Sequence, residues 1–367
     1  MTSSNSSSAD RISVAVIYGG ASPEHSVSCV SAGAIMDHLD EDRFRVVPIG
    51  ITKDGVWTVG TRETDTLRTQ GRTMPEVIPG EEVALSTSPS RRGEFRFVTG
   101  DRAGEVFDTV DVIFPVLHGP HGEDGTIQGL FELSGIAYVG PGVLASAAGM
   151  DKERTKNLLQ AAGLPIGKQV VLHVGESLSD EDKEPLGLPV FVKPARGGSS
   201  IGISRVDDWA NLDAAVELAR EHDWKVIVEA GVDGAEVEIG VLQRADGSLQ
   251  VSVPSLLRGT EDSDEGFYGF ETKYLDDVVS AQIPAELPED VLKALDTDAR
   301  RAFRALGSDG LTRVDFFVTD NGPIINEVNT MPGFTPISMY PQMFAASGVA
   351  YEELLSALIE RALVARR

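Results

Sequence analysis

Arg313, Asp315, Glu327 and Asn329 lie in two apolar runs, residues 311–318 and 323–328, joined by Asp320-Asn321-Gly322. A three-residue loop with glycine last suits a type I turn closed by a left-handed glycine. That length predicts Thr319 opposite Pro323, Asp315 opposite Glu327 and Arg313 opposite Asn329. Opposed residues share a face, so the four make one polar patch, with Val314, Phe316 and Val318 on the apolar side. A two-residue loop would slip the register and send the two acids to opposite faces. Opposed carboxylates repel unless a cation lies between them, and oxygen donors with few lysines nearby favour Mg²⁺ shared with substrate phosphates. Arg313 beside the metal could offset charge building on a transferring phosphoryl group. The competing reading is a solvated hairpin face with an Arg–Glu pair; the apolarity of the strand favours the metal.

Three other clusters could handle anions or ammonium groups. Lys193 ends an apolar run and opens Ala195-Arg-Gly-Gly-Ser-Ser-Ile-Gly202, where backbone N–H groups can approach a phosphate unobstructed. No GxxxxGK[ST] occurs, so this is not a Walker A loop; a flap over phosphates and an ordinary glycine-rich turn both fit. Glu229 closes another apolar run and Glu236 follows a glycine turn, a spacing that brackets a nucleoside or merely leaves two exposed glutamates. Gly19-Gly20-Ala-Ser-Pro-Glu24 and His118-Gly-Pro-His-Gly-Glu-Asp-Gly125 each follow a buried run, where open α/β sheets bind ligands. Glu24 could hold a substrate ammonium. His118 and His121 suit either a ligand site or a structural turn. GxGxxG spacing is lacking, which argues against a dinucleotide.

The elements that carry these residues read as α/β. Strands at 12–18, 43–49 and 110–117 alternate with a helix at 27–39, the opening of a doubly wound parallel sheet. Residues 60–105 are polar and turn-rich, and read as a surface insertion with a short hairpin near 94–98. A first domain, 11–148, follows a floppy tail at 1–10. A helix from 151 to 162 opens a second region, 149–234, with strands at 189–194, 202–206 and 224–229 and a helix at 208–222. Strands at 235–241 and 249–256, helices at 287–306 and 351–366, and the hairpin make up 235–367. Residues 261–277, acidic and glycine-spaced, read as a mobile loop.

The chain has 367 residues, 32 Lys plus Arg against 57 Asp plus Glu, and a formal charge of −25. So acidic a surface repels phosphodiester backbones and argues against nucleic-acid binding. The single cysteine, Cys29, excludes a disulfide framework and fits a reducing compartment. No apolar run is long enough to span a membrane, and the first ten residues lack the marks of an export signal. A cytoplasmic protein is expected.

In order along the chain, GGASPEHSVS (19–28), LHGPHGEDGTIQG (117–129), MDK (150–152), VKPARGGSSIG (192–202), VEAGVDGAE (228–236), KY (273–274) and RVDFF with INEVNTMPGFTPISMYP (313–341) resemble the ATP-grasp superfamily. Within it the resemblance is to the D-alanine–D-alanine ligases. It implies an ATP-grasp fold of three domains, with nucleotide between the central and C-terminal ones. The implied reaction joins two D-alanines through a D-alanyl phosphate, giving ADP and phosphate, for bacterial peptidoglycan precursors. It further implies two Mg²⁺ ions, Mn²⁺ as a substitute, room for a monovalent cation, and a homodimer. Residue by residue, Lys152 and Lys193 match phosphate-contacting lysines, Glu229 and Glu236 the adenine-edge and ribose acids, and Asp315, Glu327 and Asn329 the magnesium ligands. Glu24 matches the acid on the first substrate's ammonium and His118 a neighbour of its carboxylate. Ser199 and Tyr274 match partners of that glutamate in holding the mobile loop shut, and Ser199 also faces ATP. Arg313 and the Gly333 N–H match oxyanion donors. Ser338 matches the group binding the second carboxylate, with Met339 beside it and Lys273 near both this substrate and ATP. Arg196-Gly197-Gly198 lacks the acid many relatives carry, which predicts a looser loop. The Lys273-Tyr274 pair favours an amide over an ester product. Another ATP-grasp ligase, including D-lactate or D-serine types, is the nearest alternative; a catalytically silent nucleotide-binding module is the other.

Overall fold

The computed structural model describes residues 11–198, 200–258 and 280–365. They fall into two compact units, one built from residues up to Val143 with Gln243–Gln250 and the chain from Gly333 on, the other from Leu144–Leu242 and Val251–Pro332.

In the first unit, Phe44–Ile51, Ile12–Gly19, Val112–Val116 and Ala137–Tyr138 lie side by side and parallel, with Trp57–Val59 antiparallel at one edge. The central strands are continuous apolar runs because both faces are covered. The strand order reverses between Ile12–Gly19 and Val112–Val116, where Tyr18 pairs Val116. The glycine turn after Gly19 and the histidine turn after Leu117 therefore leave adjacent strand ends. Residues 60–105 hold more than a surface insertion. Val83–Leu85, Glu94–Phe97 and Val106–Thr109 form a three-stranded antiparallel sheet, and Phe95 and Phe97 are buried in the same cluster as Ile17, Ile49 and Phe131.

The second unit contains two antiparallel sheets. One runs Ser204–Val206, Val190–Pro194, Val226–Ala230, Gln169–Leu172, and the Leu212–Arg220 helix covers its apolar face through Leu212, Ala215, Val216 and Ala219. The other includes Ser255–Arg258, Ala235–Gln243, Leu311–Thr319 and Gly322–Asn329. The single strand expected over 249–256 is broken into Leu249–Val251 and Ser255–Arg258, with Pro254, which has no N–H for a ladder, between them. The expected 208–222 helix is a 3₁₀ turn, Trp209–Asn211, followed by the α-helix Leu212–Arg220. The hairpin also differs from expectation. Thr319 pairs Gly322 and Val318 pairs Pro323, one residue tighter than the loop length predicts. Gly322 has φ +106°, as a left-handed closing glycine requires. A bulge then restores the predicted partners: Phe316 opposes Ile325, Asp315 opposes Glu327, and Asn326 is the extra residue.

Candidate active site

The polar face of the hairpin follows from this register. Asp315 lies between Glu238 on one neighbouring strand and Glu327 on the other, and Arg313 opposes Asn329. Arg313 Nε and one terminal nitrogen donate to the two Asp315 carboxylate oxygens, each at 2.7 Å. The Asn329 side-chain amide donates to Asp315 at 2.9 Å, and Arg313 lies 3.4 Å from Glu238. Burial disfavours the guanidinium charge, but Asp315, Glu238 and Glu327 outweigh it and push the Arg313 pKa up, so it stays a cation. Behind this face Val314, Phe316 and Ile325 are fully buried. The carboxylates of Asp315 and Glu327 and the carboxamide of Asn329, set on one face by two opposed residue pairs, are hard oxygen donors of the kind Mg²⁺ takes. They fit the metal provided the Asn329 amide turns its oxygen toward it. Sequence reasoning missed Glu238, although it follows Glu236 with the strand's period of two and so shares its face. Glu236 lies opposite Phe317, half-buried.

A second group gathers on the other sheet. Phe191 opposes Glu229, so Lys193, two residues on, is its diagonal neighbour on the same face. Lys193 Nζ lies 2.5 Å from one Glu229 oxygen, and Lys156 Nζ, from the Lys152–Ala161 helix, lies 2.5 Å from the other. All three are buried. Burial alone would raise the Glu229 pKa, but the charges of Lys193 and Lys156 overcome it and hold it down to about 2. Burial and the neighbouring ammoniums of Lys193 and Lys152 push Lys156 down, partly offset by Glu229. Lys156 escaped sequence reading because one lysine in a helix carries no signal; its four-residue spacing from Lys152 puts both on one helix face.

The glycine loop begins tightly, not loosely. Lys152 donates from its backbone N–H to Ala195 O at 2.9 Å and from Nζ to Gly197 O at 2.7 Å. Asp223 accepts from the Arg196 backbone N–H at 2.9 Å and from its guanidinium at 2.6 and 3.0 Å, while the guanidinium lies 5.0 Å from the Trp224 ring centre. Ser199, Lys273, Tyr274 and the 261–277 loop lie outside the described residues.

In the first unit, the glycine turn is fixed from the His25–His38 helix. His25 Nδ1 donates to Gly20 O at 2.6 Å and Nε2 accepts from Val77 N–H at 3.0 Å, while Ser28 accepts from Gly19 N–H at 2.7 Å and donates to Val116 O. Glu24 and His118 are both buried, and a side chain on Gly119 would come within 2.9 Å of a Glu24 carboxylate oxygen. The acids of the histidine turn cap its own backbone, Glu123 accepting from Gly119 N–H and Asp124 from His121 N–H. His121, with φ +68°, is therefore part of the turn's scaffold. Farther along, Ser338 Oγ bonds the Thr335 N–H at 3.0 Å and hydroxyl at 2.8 Å, and a β-carbon on Gly333 would lie 2.8 Å from that oxygen. Met339 opens the next helix, Met339–Ala346.

A lysine-bearing antiparallel sheet and an acid-bearing one in a single unit, with a parallel sheet in the other, fit the ATP-grasp class. Residues 13–141 match the D-ala D-ala ligase N-terminus family and residues 158–360 the D-ala D-ala ligase C-terminus family. The D-alanine–D-alanine ligase of Corynebacterium diphtheriae is 62% identical over 363 residues, covering 99% of this chain and 98% of that protein. Among solved structures, the VanG D-Ala:D-Ser ligase from Enterococcus faecalis is 36% identical with TM-score 0.79, covering 96% of this chain and 99% of that one. The D-alanine–D-alanine ligase of Coxiella burnetii is 29% identical with TM-score 0.82, covering 97% and 95%. The chain belongs to the D-alanine–D-alanine ligase family.

Proposed function

We propose that this chain uses ATP to join two D-alanines into D-alanyl-D-alanine for peptidoglycan precursors, through a D-alanyl phosphate, as a cytoplasmic homodimer. The reading keeps the regions 11–148, 149–234 and 235–367 as its three working parts. The observation that supports it most is the hairpin register that gathers Arg313, Asp315, Glu327 and Asn329 on one face.

A carboxylate is a poor electrophile, so it must first be phosphorylated. Asp315, Glu327 and Asn329 would hold Mg²⁺, which when bound neutralises phosphate oxygens; Mn²⁺ would serve the same donors. Lys152 and Lys193 bring positive charge to the glycine loop, and Glu236 accepts from ribose hydroxyls. Glu24 binds the first ammonium and His118 lies by its carboxylate. Arg313 and the Gly333 N–H stabilise charge on the oxyanion formed when the second amine attacks. Ser338, with Met339 beside it, binds the second carboxylate, and Lys273, Tyr274 and Ser199 complete the closed site. Excluding water protects the acyl phosphate.

Phosphate release measured with D-alanine, D-serine, D-lactate and L-alanine tests this. D-alanine alone should drive fast release, with the dipeptide as product. Release indifferent to D-alanine would end the reading, and D-serine outperforming it would move the chain to the D-serine branch. Glu327→Gln should abolish turnover.

A further inference from the structure

Glu229 has one carboxylate charge and two ammonium partners, each on its own oxygen at 2.5 Å. The two lysines differ in placement. Lys193 stands at the end of Val190–Pro194, next to the glycine loop, with a side chain 10% exposed. Lys156 projects from the middle of a helix, and its side chain is 4% exposed. A buried carboxylate stripped of its counter-charge is costly, as is a buried ammonium stripped of its own. If Lys193 turns toward a phosphate, Glu229 stays ionised and buried only because a second ammonium remains.

We propose that Lys156 is a positioning residue for nucleotide binding, the permanent counter-ion that holds Glu229 in place when Lys193 is drawn from that carboxylate to a nucleotide phosphate. The proposal rests on the ligase reading, which makes Lys193 a phosphate contact. It divides the labour by mobility: the lysine beside the loop exchanges partners, and the helix lysine does not. Lys156 touches no nucleotide in this scheme.

Isothermal titration of ADP and, separately, of D-alanine into the full chain tests it, with thermal melts as a check on folding. Lys156→Met should weaken ADP binding by roughly tenfold or more, since it leaves a buried carboxylate to keep Lys193 for itself. Lys156→Arg, which keeps the charge, should stay within about threefold of wild type. D-alanine binding should be unchanged in both, whereas general loosening would weaken it too. In a Glu229→Gln background, Lys156→Met should alter ADP affinity by less than about threefold, because the charge it balances is gone; this pair decides the matter if the single variant fails to fold. A tenfold loss in that background overturns the proposal. Lys193→Met separates the two levels. Lys156→Met binding ADP like wild type while Lys193→Met loses it overturns the inference alone. Both variants binding normally overturns the inference and the nucleotide site together.

Discussion

At the scale of single residues, the site's behaviour rests on groups held by very few contacts. Ser338 is pinned by two bonds to Thr335, so it cannot swing clear of a β-carbon placed 2.8 Å away. If the Gly333 N–H serves the oxyanion as proposed, Gly333→Ala should displace it and lower kcat by roughly a hundredfold, the usual loss of one such donor. Steady-state phosphate release checks it, and a variant within twofold of wild type would remove Gly333 from the chemistry. Glu229 carries a different consequence. Its folded pKa, about 2, lies below its ordinary 4.5. Its stabilising contribution is thus fully present above pH 4.5 and is lost as pH falls from there toward 2. At about 1.4 kcal/mol per unit, that is on the order of 3 kcal/mol. Urea midpoints should be nearly equal at pH 7 and 5 and lower at pH 3, and Glu229→Gln should flatten that fall while lowering the midpoint at pH 7. An unchanged slope would mean the two lysines do not hold the carboxylate.

At the scale of elements, the hairpin shows what the sequence discloses and what it conceals. Alternation along 311–318 placed Arg313 and Asp315 on one face, and their pairing with Asn329 and Glu327 was legible. The route to it was not, because a tight turn and a bulge each shift the register by one and cancel. Nothing in Ile324-Ile325-Asn326-Glu327 marks the bulge. The compensation yields opposed outcomes for two small changes. Deleting Asn326 leaves Glu327 next after Ile325 and still opposite Asp315, so turnover should fall less than about tenfold. Inserting alanine after Asn326 puts Glu327 opposite Val314, on the buried face, and should abolish turnover. Phosphate release on folded protein, verified by circular dichroism, compares them; equal losses would show that register does not decide the site. Elsewhere legibility followed the same rule. Motif-borne residues such as Glu24, His118 and Lys193 stood out by their company, whereas Lys156, Glu238 and Asp223 act through partners far along the chain that no local pattern announces.

At the scale of the whole molecule, composition and site oppose each other. The chain carries a formal charge of −25, yet under the proposed reading its nucleotide phosphates must come to Lys152 and Lys193, while Lys156 stays paired with Glu229. Lys193 is buried and Lys152 half-buried, so their ammonium groups act over a few ångströms, while the surface field reaches about a Debye length, roughly 30 Å at 0.01 M salt and 10 Å at 0.1 M. An approaching polyphosphate therefore meets repulsion first and attraction only at contact. Salt screens the former far more than the latter, because buried pairs are poorly screened. Raising ionic strength from 10 to 150 mM should speed nucleotide association by roughly two- to fivefold while changing dissociation less, the reverse of a protein that steers its anionic ligand electrostatically. Stopped-flow tryptophan fluorescence with ADP separates the two rates, Trp224 lying against the loop-anchoring Arg196. An association rate that falls with salt would mean that a local positive field governs encounter despite the acidic whole.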